Sequence, residues 1–96
     1  MLFDLVAMVL VQFRVRVPDV DRFKQAMQTY RPVMEELGGR NNRAFVAESD
    51  PSEVCTMSEW ESHDAMMAAT DRFGDDFNRD AGTEGLEWET RIWHEL

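Results

Sequence analysis

One stretch of fifteen residues, 50–64, holds a turn, a strand and the start of a helix, and it constrains the fold more than any other part of the chain. Asp50 and Pro51 are typical turn residues. The run from Val54 to Trp60 is typical of a buried strand that ends in a large aromatic side chain. Ser62 then offers a hydroxyl that can cap a helix. The stretch therefore predicts a domain in which strands and helices alternate with short connections.

Length and composition predict one globular domain over residues 1–96, since 44% of the residues are hydrophobic and 30% are charged. The single cysteine, Cys55, cannot form an internal disulfide, which suits a reducing cytoplasm. Residues 1–11 are apolar, but they contain Asp4 and lack a basic segment. They are expected to form a strand rather than a signal peptide or a membrane span.

The net charge of −9 comes from 19 acidic and 10 basic side chains, and no Lys/Arg cluster interrupts the acidic background. The electrostatic attraction on which nucleic-acid binding depends is therefore missing, and we expect neither nucleic acid nor membrane as a partner. Acidity also fits a basic partner or a high-salt habitat. A solvated acidic surface that keeps the protein soluble is the simpler interpretation.

Six elements are predicted along the chain. Strands are expected at about residues 5–17, 43–48, 54–60 and 86–95, and helices from Asp19 to the Gly38-Gly39 pair and over residues 63–79. Pro32 predicts a kink or a break of the first helix near residues 28–31. The order strand, helix, strand, strand, helix, strand is that of the α+β ferredoxin-like βαββαβ fold, a four-stranded antiparallel sheet with two helices on one face.

The first predicted strand is apolar on both faces. Its odd residues from Val9 to Val17 are the natural helix-facing set, yet the even residues Val6, Met8 and Leu10 are apolar too. Because two helices cover only one face, we expect a sheet-on-sheet homodimer. Its predicted interface contains Val6, Met8, Leu10, Arg14, Met57, Glu59, Arg91 and Trp93, with Glu59 paired to Arg14 or Arg91. The alternative is that irregular N-terminal residues fold over that face.

Three segments resemble one known family: VLVQFRV at residues 9–15, DPSEV at residues 50–54 and EWES at residues 59–62, where the second helix begins. They are similar to antibiotic-biosynthesis-monooxygenase-like domains of the dimeric α/β-barrel superfamily, and the similarity extends from about residue 5 to 95. The resemblance implies that two ferredoxin-like protomers join their sheets into a barrel. It also implies cofactor-free oxygenation of anthrones and quinols, heme degradation or aromatic cyclisation, beside members of unknown role.

The candidate substrate-binding residues are Trp60, Tyr30, Thr56, Ser58 and Thr90. In the family that the chain resembles, the matching tryptophan lines a pocket between helices and sheet. Thr56 and Ser58 are polar residues on a face that is expected to be apolar, and Tyr30 and Thr90 add two more hydroxyls. Together they predict a cavity with converging hydrogen-bonding groups. The alternative is that Trp60 only fills the core and that the backbone satisfies each hydroxyl.

The candidate catalytic residues are Trp60 and His94, because His94 continues the face of Thr90 and is the histidine that is better placed to reach the pocket. His63 is expected to be solvated at a helix start. Cys55 points toward the proposed dimer face, where a buried thiol is inert. No residues have metal-ligand spacing, so no metal is expected.

The resemblance also bears on cofactors, since heme-degrading relatives carry a ligand histidine on the second helix near the position of Thr70. Without that histidine, no cofactor is expected. The predicted function is that of a small cofactor-independent monooxygenase acting on a hydrophobic aromatic such as a quinol or an anthrone. The alternative is a non-catalytic dimeric module that binds a small apolar ligand in the same cavity, so that enzymatic activity is left open.

Overall fold

The computed structural model of the chain describes residues 8–96, which contain four strands and two helices. The elements are β1 (Val9–Arg16), α1 (Val20–Glu36), β2 (Arg40–Val46), β3 (Glu53–Trp60), α2 (His63–Ala81) and β4 (Glu89–His94). Their order is the predicted one. Within the described part of the chain, neither helix is long and apolar enough to cross a membrane.

The strands form one antiparallel sheet in the order β2-β3-β1-β4. β1 lies in the middle, so that Val11 faces Ser58 of β3 on one side and Ile92 of β4 on the other. This topology confirms the ferredoxin-like fold. It also fixes which side chains share a face, because residues that pair across neighbouring strands point to the same side of the sheet.

Both helices begin at the predicted caps. The Asp19 carboxylate accepts a hydrogen bond of 3.1 Å from the backbone N–H of Arg22, and the Ser62 hydroxyl accepts one of 3.0 Å from that of Ala65. Pro32 causes no break, since α1 is continuous from Val20 to Glu36. The predicted break is therefore wrong, the alternative of a kink stays a prediction, and Pro32 lies exposed within the helix.

The helices cover the inner face of the sheet, where Val9, Val11 and Val15 are buried as predicted. β4 begins at Glu89 rather than at residue 86. The preceding segment packs on the core instead, with the Trp88 ring 5.8 Å from that of Phe13, centroid to centroid. The residues that were expected to form the first strand pairs of β4 thus bury an aromatic ring instead.

The outer face is formed by the alternate residues of β1 and their partners. Leu10 pairs with Glu59 and Trp93, and the next pairs bring Met57 and Arg91 to the same face, with Arg14 following. Met8 directly precedes β1 and is half-buried, whereas the predicted interface residue Val6 lies outside the described residues.

Within a single chain, the ion pairs observed on this face are not the predicted pairs of Glu59 with Arg14 or Arg91. Arg14 contacts Glu53 at 2.9 Å and Glu89 at 3.2 Å, not Glu59. Glu59 accepts a hydrogen bond of 3.1 Å from the Asn41 amide, and residues 8–96 provide it with no cationic partner. Arg14 is held by its neighbouring strands because Glu89 lies opposite it in register and Glu53 lies diagonally across, opposite Arg16.

Candidate functional site

A cavity of about 260 Å³ lies between the helices and the inner face of the sheet. Its walls are mostly aromatic and methionine side chains: Met27 and Met34 of α1, and Met66, Phe73 and Phe77 of α2. Phe13, Trp60 and Trp88 close it from the sheet side. Such a wall suits a flat apolar molecule, and the volume lies just below the range of about 300–1,000 Å³ for ligand pockets.

The polar side chains that line the cavity are uncharged. Thr56 and Ser58 lie on β3, Asn42 on β2, and Thr70 and Asn78 on α2. Among residues 8–96, the wall contains no Asp, Glu, His, Cys, Lys or Arg. Three of the five candidate substrate-binding residues, Trp60, Thr56 and Ser58, therefore meet in one cavity, and their role in binding stays a prediction. Met57 also contributes to the wall, although it pairs with Gln12 on the outer face.

Trp60 lies at the end of β3 and is only 2% exposed. Its indole N–H donates a hydrogen bond of 2.8 Å to the Ser58 hydroxyl. The N–H is thus engaged inside the protein, while Ser58 accepts this bond and keeps its own O–H for another acceptor. The arrangement orients the Ser58 hydroxyl within the cavity wall.

Gly39 determines where the Trp60 ring can lie. A Cβ atom at Gly39 would approach ring atoms Cζ2 and Cη2 of Trp60 at 2.9 and 3.0 Å. The Gly39 N–H also donates to the Met34 carbonyl at 2.8 Å, which ties β2 to the end of α1. The double glycine is therefore more than the predicted helix stop, because its second member makes room for the indole.

Gly39→Ala is expected to destabilise the protein by about 1–3 kcal/mol, because the new methyl group collides with a buried ring that cannot move freely. The free energy of unfolding by urea measures this loss. Gly74→Ala in α2 is the matched control, since its Cβ would meet only the Thr70 methyl group at 3.3 Å and alanine favours the helix. An equal loss in both variants would contradict the role of Gly39.

A β-bulge in β2 places Asn42 in the wall of the cavity. Arg40 pairs with Glu59 and Arg43 with Met57, so two residues of β2, Asn41 and Asn42, stand against one residue of β3. Asn41 has a φ of 51°, a left-handed conformation that asparagine adopts more readily than most residues. Asn42 is 6% exposed and lines the cavity. Asn42 was not among the predicted site residues; the signal that the sequence offers for it is the neighbouring Asn41, because asparagine tolerates the left-handed conformation found there.

Tyr30 lies behind the cavity wall rather than in it. Its ring packs against Phe73 and Phe77, and its hydroxyl donates a hydrogen bond of 2.6 Å to the Asp80 carboxylate. This bond raises the pKa of Tyr30 and lowers the pKa of Asp80. Thr90 pairs with Phe13 on the inner face, but it lies on an edge strand, is exposed and is not part of the wall.

The two histidines lie away from the cavity wall. His94 ends β4 opposite Val9, and His63 begins α2, both exposed. Cys55 pairs with Arg14 on the outer face, and burial raises the pKa of its thiol, which disfavours the nucleophilic thiolate. Within residues 8–96, no three His, Cys, Asp or Glu side chains are grouped as a metal site requires.

Solved structures share this fold over almost their whole length. One is SnoaB, a cofactor-independent oxygenase from Streptomyces nogalater, with a TM-score of 0.75, 15% identity and coverage of 94% of each chain. A Pseudomonas aeruginosa protein has a TM-score of 0.75 at 13% identity and covers 98% of this chain and 99% of its own. A conserved protein from Methanosarcina mazei has a TM-score of 0.66 at 15% identity and covers 95% of each chain. At these identities the likeness shows the fold alone.

Sequence comparison identifies the family. No curated protein matches the chain. A family model described as antibiotic biosynthesis monooxygenase, in contrast, matches residues 6–73, which includes both helix starts and the first three strands. Because this match spans more than half of the 96 residues, the chain belongs to the antibiotic biosynthesis monooxygenase family.

Proposed function

We propose that the protein is a cofactor-independent monooxygenase that acts on a hydrophobic aromatic molecule, such as a quinol or an anthrone, in the cavity between helices and sheet. The observation that carries the proposal is the cavity wall, which combines aromatic rings with uncharged hydrogen-bonding groups. Family membership and the likeness to SnoaB support it. We expect it to act in the cytoplasm, where Cys55 remains a thiol.

The proposed reaction uses the substrate as its own source of electrons. An anthrone that has lost a proton from its CH₂ group donates electrons to O₂; one oxygen atom forms the new carbonyl group and the other leaves as water. With a quinol, one oxygen atom enters the ring as a hydroxyl group of the quinone and the other leaves as water. The dry wall favours a delocalised anion over a hydrated one, and the Ser58 hydroxyl supplies a hydrogen bond to the substrate oxygen as charge develops there. Phe13, Phe73 and Trp60 hold the ring system between helices and sheet.

The test is oxygen uptake with a panel of anthrones and quinols, in the presence of a metal chelator and without added cofactor. The expected result is saturable consumption of one O₂ for each quinone formed. If every substrate that binds is recovered unchanged and no oxygen is consumed above the buffer rate, the monooxygenase proposal is wrong.

A second prediction concerns pH. Because the wall, as described for residues 8–96, contains no side chain that titrates near neutrality, the rate is expected to follow ionisation of the substrate. The rate should rise with pH, and the midpoint should move upward when a substrate of higher pKa is used. Initial rates for two anthrones that differ by about one pKa unit measure this shift. An identical midpoint for both would instead identify a protein group as the base.

A non-catalytic binding module is the second candidate. The observation that favours it is the same lack of a proton acceptor in the wall, together with the Trp60 N–H that is already engaged by Ser58. A binding module would be stabilised thermally by apolar aromatic ligands while consuming no oxygen. Oxygen uptake and thermal stabilisation measured on one ligand panel therefore separate the two candidates.

We further propose that the outer face of the sheet joins two copies of the chain. Trp93 and Phe45 on this face are 49% and 45% exposed, although both are large aromatic side chains. Glu59 and Arg91 lie on the same face, and within the described residues neither forms an ion pair. A two-fold axis would bring opposite charges of two copies together, which suits a self-complementary interface.

A further inference from the structure

The amide group of Asn42 is buried without a partner. Its Nδ2 and Oδ1 atoms are both inaccessible to solvent, and residues 8–96 provide neither with a hydrogen bond. Most buried polar side-chain atoms in native proteins are satisfied, because an unpaired one destabilises the fold. A buried donor and acceptor left unpaired side by side, in the wall of a cavity, therefore point to a ligand that pairs with them.

Several other polar groups of the wall already form hydrogen bonds within the chain. The Asn78 side-chain oxygen accepts a hydrogen bond of 2.7 Å from the Thr83 hydroxyl, and the Thr70 hydroxyl donates to the Met66 sulfur at 3.4 Å. The Trp60 N–H donates to Ser58. Asn42 thus lines the cavity with a side chain whose amide forms no hydrogen bond within the described residues.

The backbone determines where Asn42 lies in the sheet. Asn42 lies in the bulge of β2, where Asn41 has a φ of 51° and anchors its own side chain on Glu59 at 3.1 Å. A regular strand would place one residue, not two, opposite Ser58. The bulge therefore brings the Asn42 amide to the inner face, as bulges near binding sites commonly do.

We propose that Asn42 is the polar anchor of the ligand in this cavity. When a ligand binds, the side chain turns its amide toward the cavity and pairs with the edge of a neutral, planar aromatic molecule that carries one hydrogen-bond donor directly beside one acceptor, as a ring lactam does. Donor and acceptor on each side match, so two parallel hydrogen bonds form at once. The ligand is neutral at this edge because, in the described part of the chain, no charged side chain lines the cavity. The proposal rests on the proposed function in using the same cavity, but it requires no turnover.

The experiment measures binding of four two-ring probes of similar shape by calorimetry: 2-quinolone, N-methyl-2-quinolone, quinoline and naphthalene. Only 2-quinolone presents adjacent donor and acceptor. We expect it to bind the wild type at least about tenfold more tightly than N-methyl-2-quinolone or quinoline, a difference of about 1.4 kcal/mol. In Asn42→Leu, and in Asn42→Ala should the leucine variant fold poorly, the preference should fall to within about twofold while naphthalene binds as well as before.

Stability of the free protein gives an independent readout. Asn42→Leu removes two unsatisfied polar atoms at similar size, so the thermal midpoint is expected to rise by roughly 3–8 °C. Asn78→Leu is the control, because it breaks the bond to the buried Thr83 hydroxyl and should lower the midpoint. A structural role for Asn42 would lower the midpoint in both variants and would overturn the proposal.

The outcomes also separate this proposal from the proposed function. Binding of naphthalene without any preference for 2-quinolone would overturn the anchor and leave the monooxygenase proposal standing. An unchanged preference for 2-quinolone in the Asn42 variants would also overturn the anchor. Binding of no probe at all would overturn the anchor, whereas the monooxygenase proposal would still be decided by oxygen uptake with anthrones and quinols. A preference that depends on Asn42, in a protein that consumes no oxygen, would support the anchor and refute the monooxygenase.

Discussion

Leu10→Glu is expected to turn a homodimer into a folded monomer. Leu10 lies in the central strand on the outer face, half-buried, with Glu59 and Trp93 as its neighbours in register. In a sheet-on-sheet dimer the new carboxylate would be buried without a partner and beside a like charge, which costs several kcal/mol. The dissociation constant should rise at least about a hundredfold, and light scattering at micromolar concentration should report the mass of one chain.

Met67→Glu is the matched control for this variant. Met67 is 49% exposed on α2, away from the outer face, so the same added charge should leave the dimer intact. Circular dichroism of both variants checks that each remains folded. A wild type that is already monomeric at this concentration, or a Leu10→Glu dimer of unchanged affinity, would refute the interface.

The fold was predictable because its signals are local. Alternation of apolar residues in β1 assigns Val9, Val11 and Val15 to the inner face, and the structure buries all three. Asp19 and Ser62 mark the helix starts through hydroxyl or carboxylate groups that satisfy backbone N–H groups. Once the order of elements is known, the ferredoxin-like topology follows from short antiparallel connections.

The site was predictable only in part. Alternation of residues along a strand predicts the face of the sheet on which a side chain lies, but not how deeply that side chain is buried. Thr56 and Ser58 lie on the inner face and line the cavity, whereas Thr90 shares that face on the edge strand β4 and is left exposed. Tyr30 points inward by helical spacing, yet its hydroxyl is drawn to Asp80, a contact between two helices that spacing alone does not reveal. The exposure of Thr90 depends on where its strand lies in the sheet, and the contact of Tyr30 depends on how the two helices pack. Neither can be deduced from one segment of the sequence.

Asn42 illustrates a different obstacle. A single extra residue in β2 reverses which side chains point inward, and the bulge depends on how β2 pairs with β3. The strand was expected to begin at residue 43, which left Asn42 in a loop with no assigned face. Asn42, whose buried amide has no hydrogen-bond partner within the described residues, could therefore not be found from the alternation of side chains, because that alternation assumes regular pairing between strands.

Trp60→Phe is expected to lower turnover roughly tenfold or more while reducing the free energy of unfolding by only about 1–2 kcal/mol. Phenylalanine keeps most of the buried apolar volume but removes the N–H that holds the Ser58 hydroxyl at 2.8 Å. We therefore propose an indirect role for the indole N–H: it positions Ser58, whose own O–H is left to donate to a substrate oxygen. Initial rates of oxygen uptake and urea unfolding on the same preparations give the two quantities.

A double-mutant cycle with Ser58→Ala tests this indirect role. If Trp60 acts through Ser58, each single variant should lose a similar factor in turnover, and the double variant should lose little more than either, because both remove the same oriented donor. Losses that multiply would mean that the two side chains act independently on the substrate. Unchanged turnover in folded Trp60→Phe would reduce Trp60 to a filler of the core next to Val9 and Met66 and would refute its positioning role, because the donor that it is proposed to orient would then contribute nothing to the reaction.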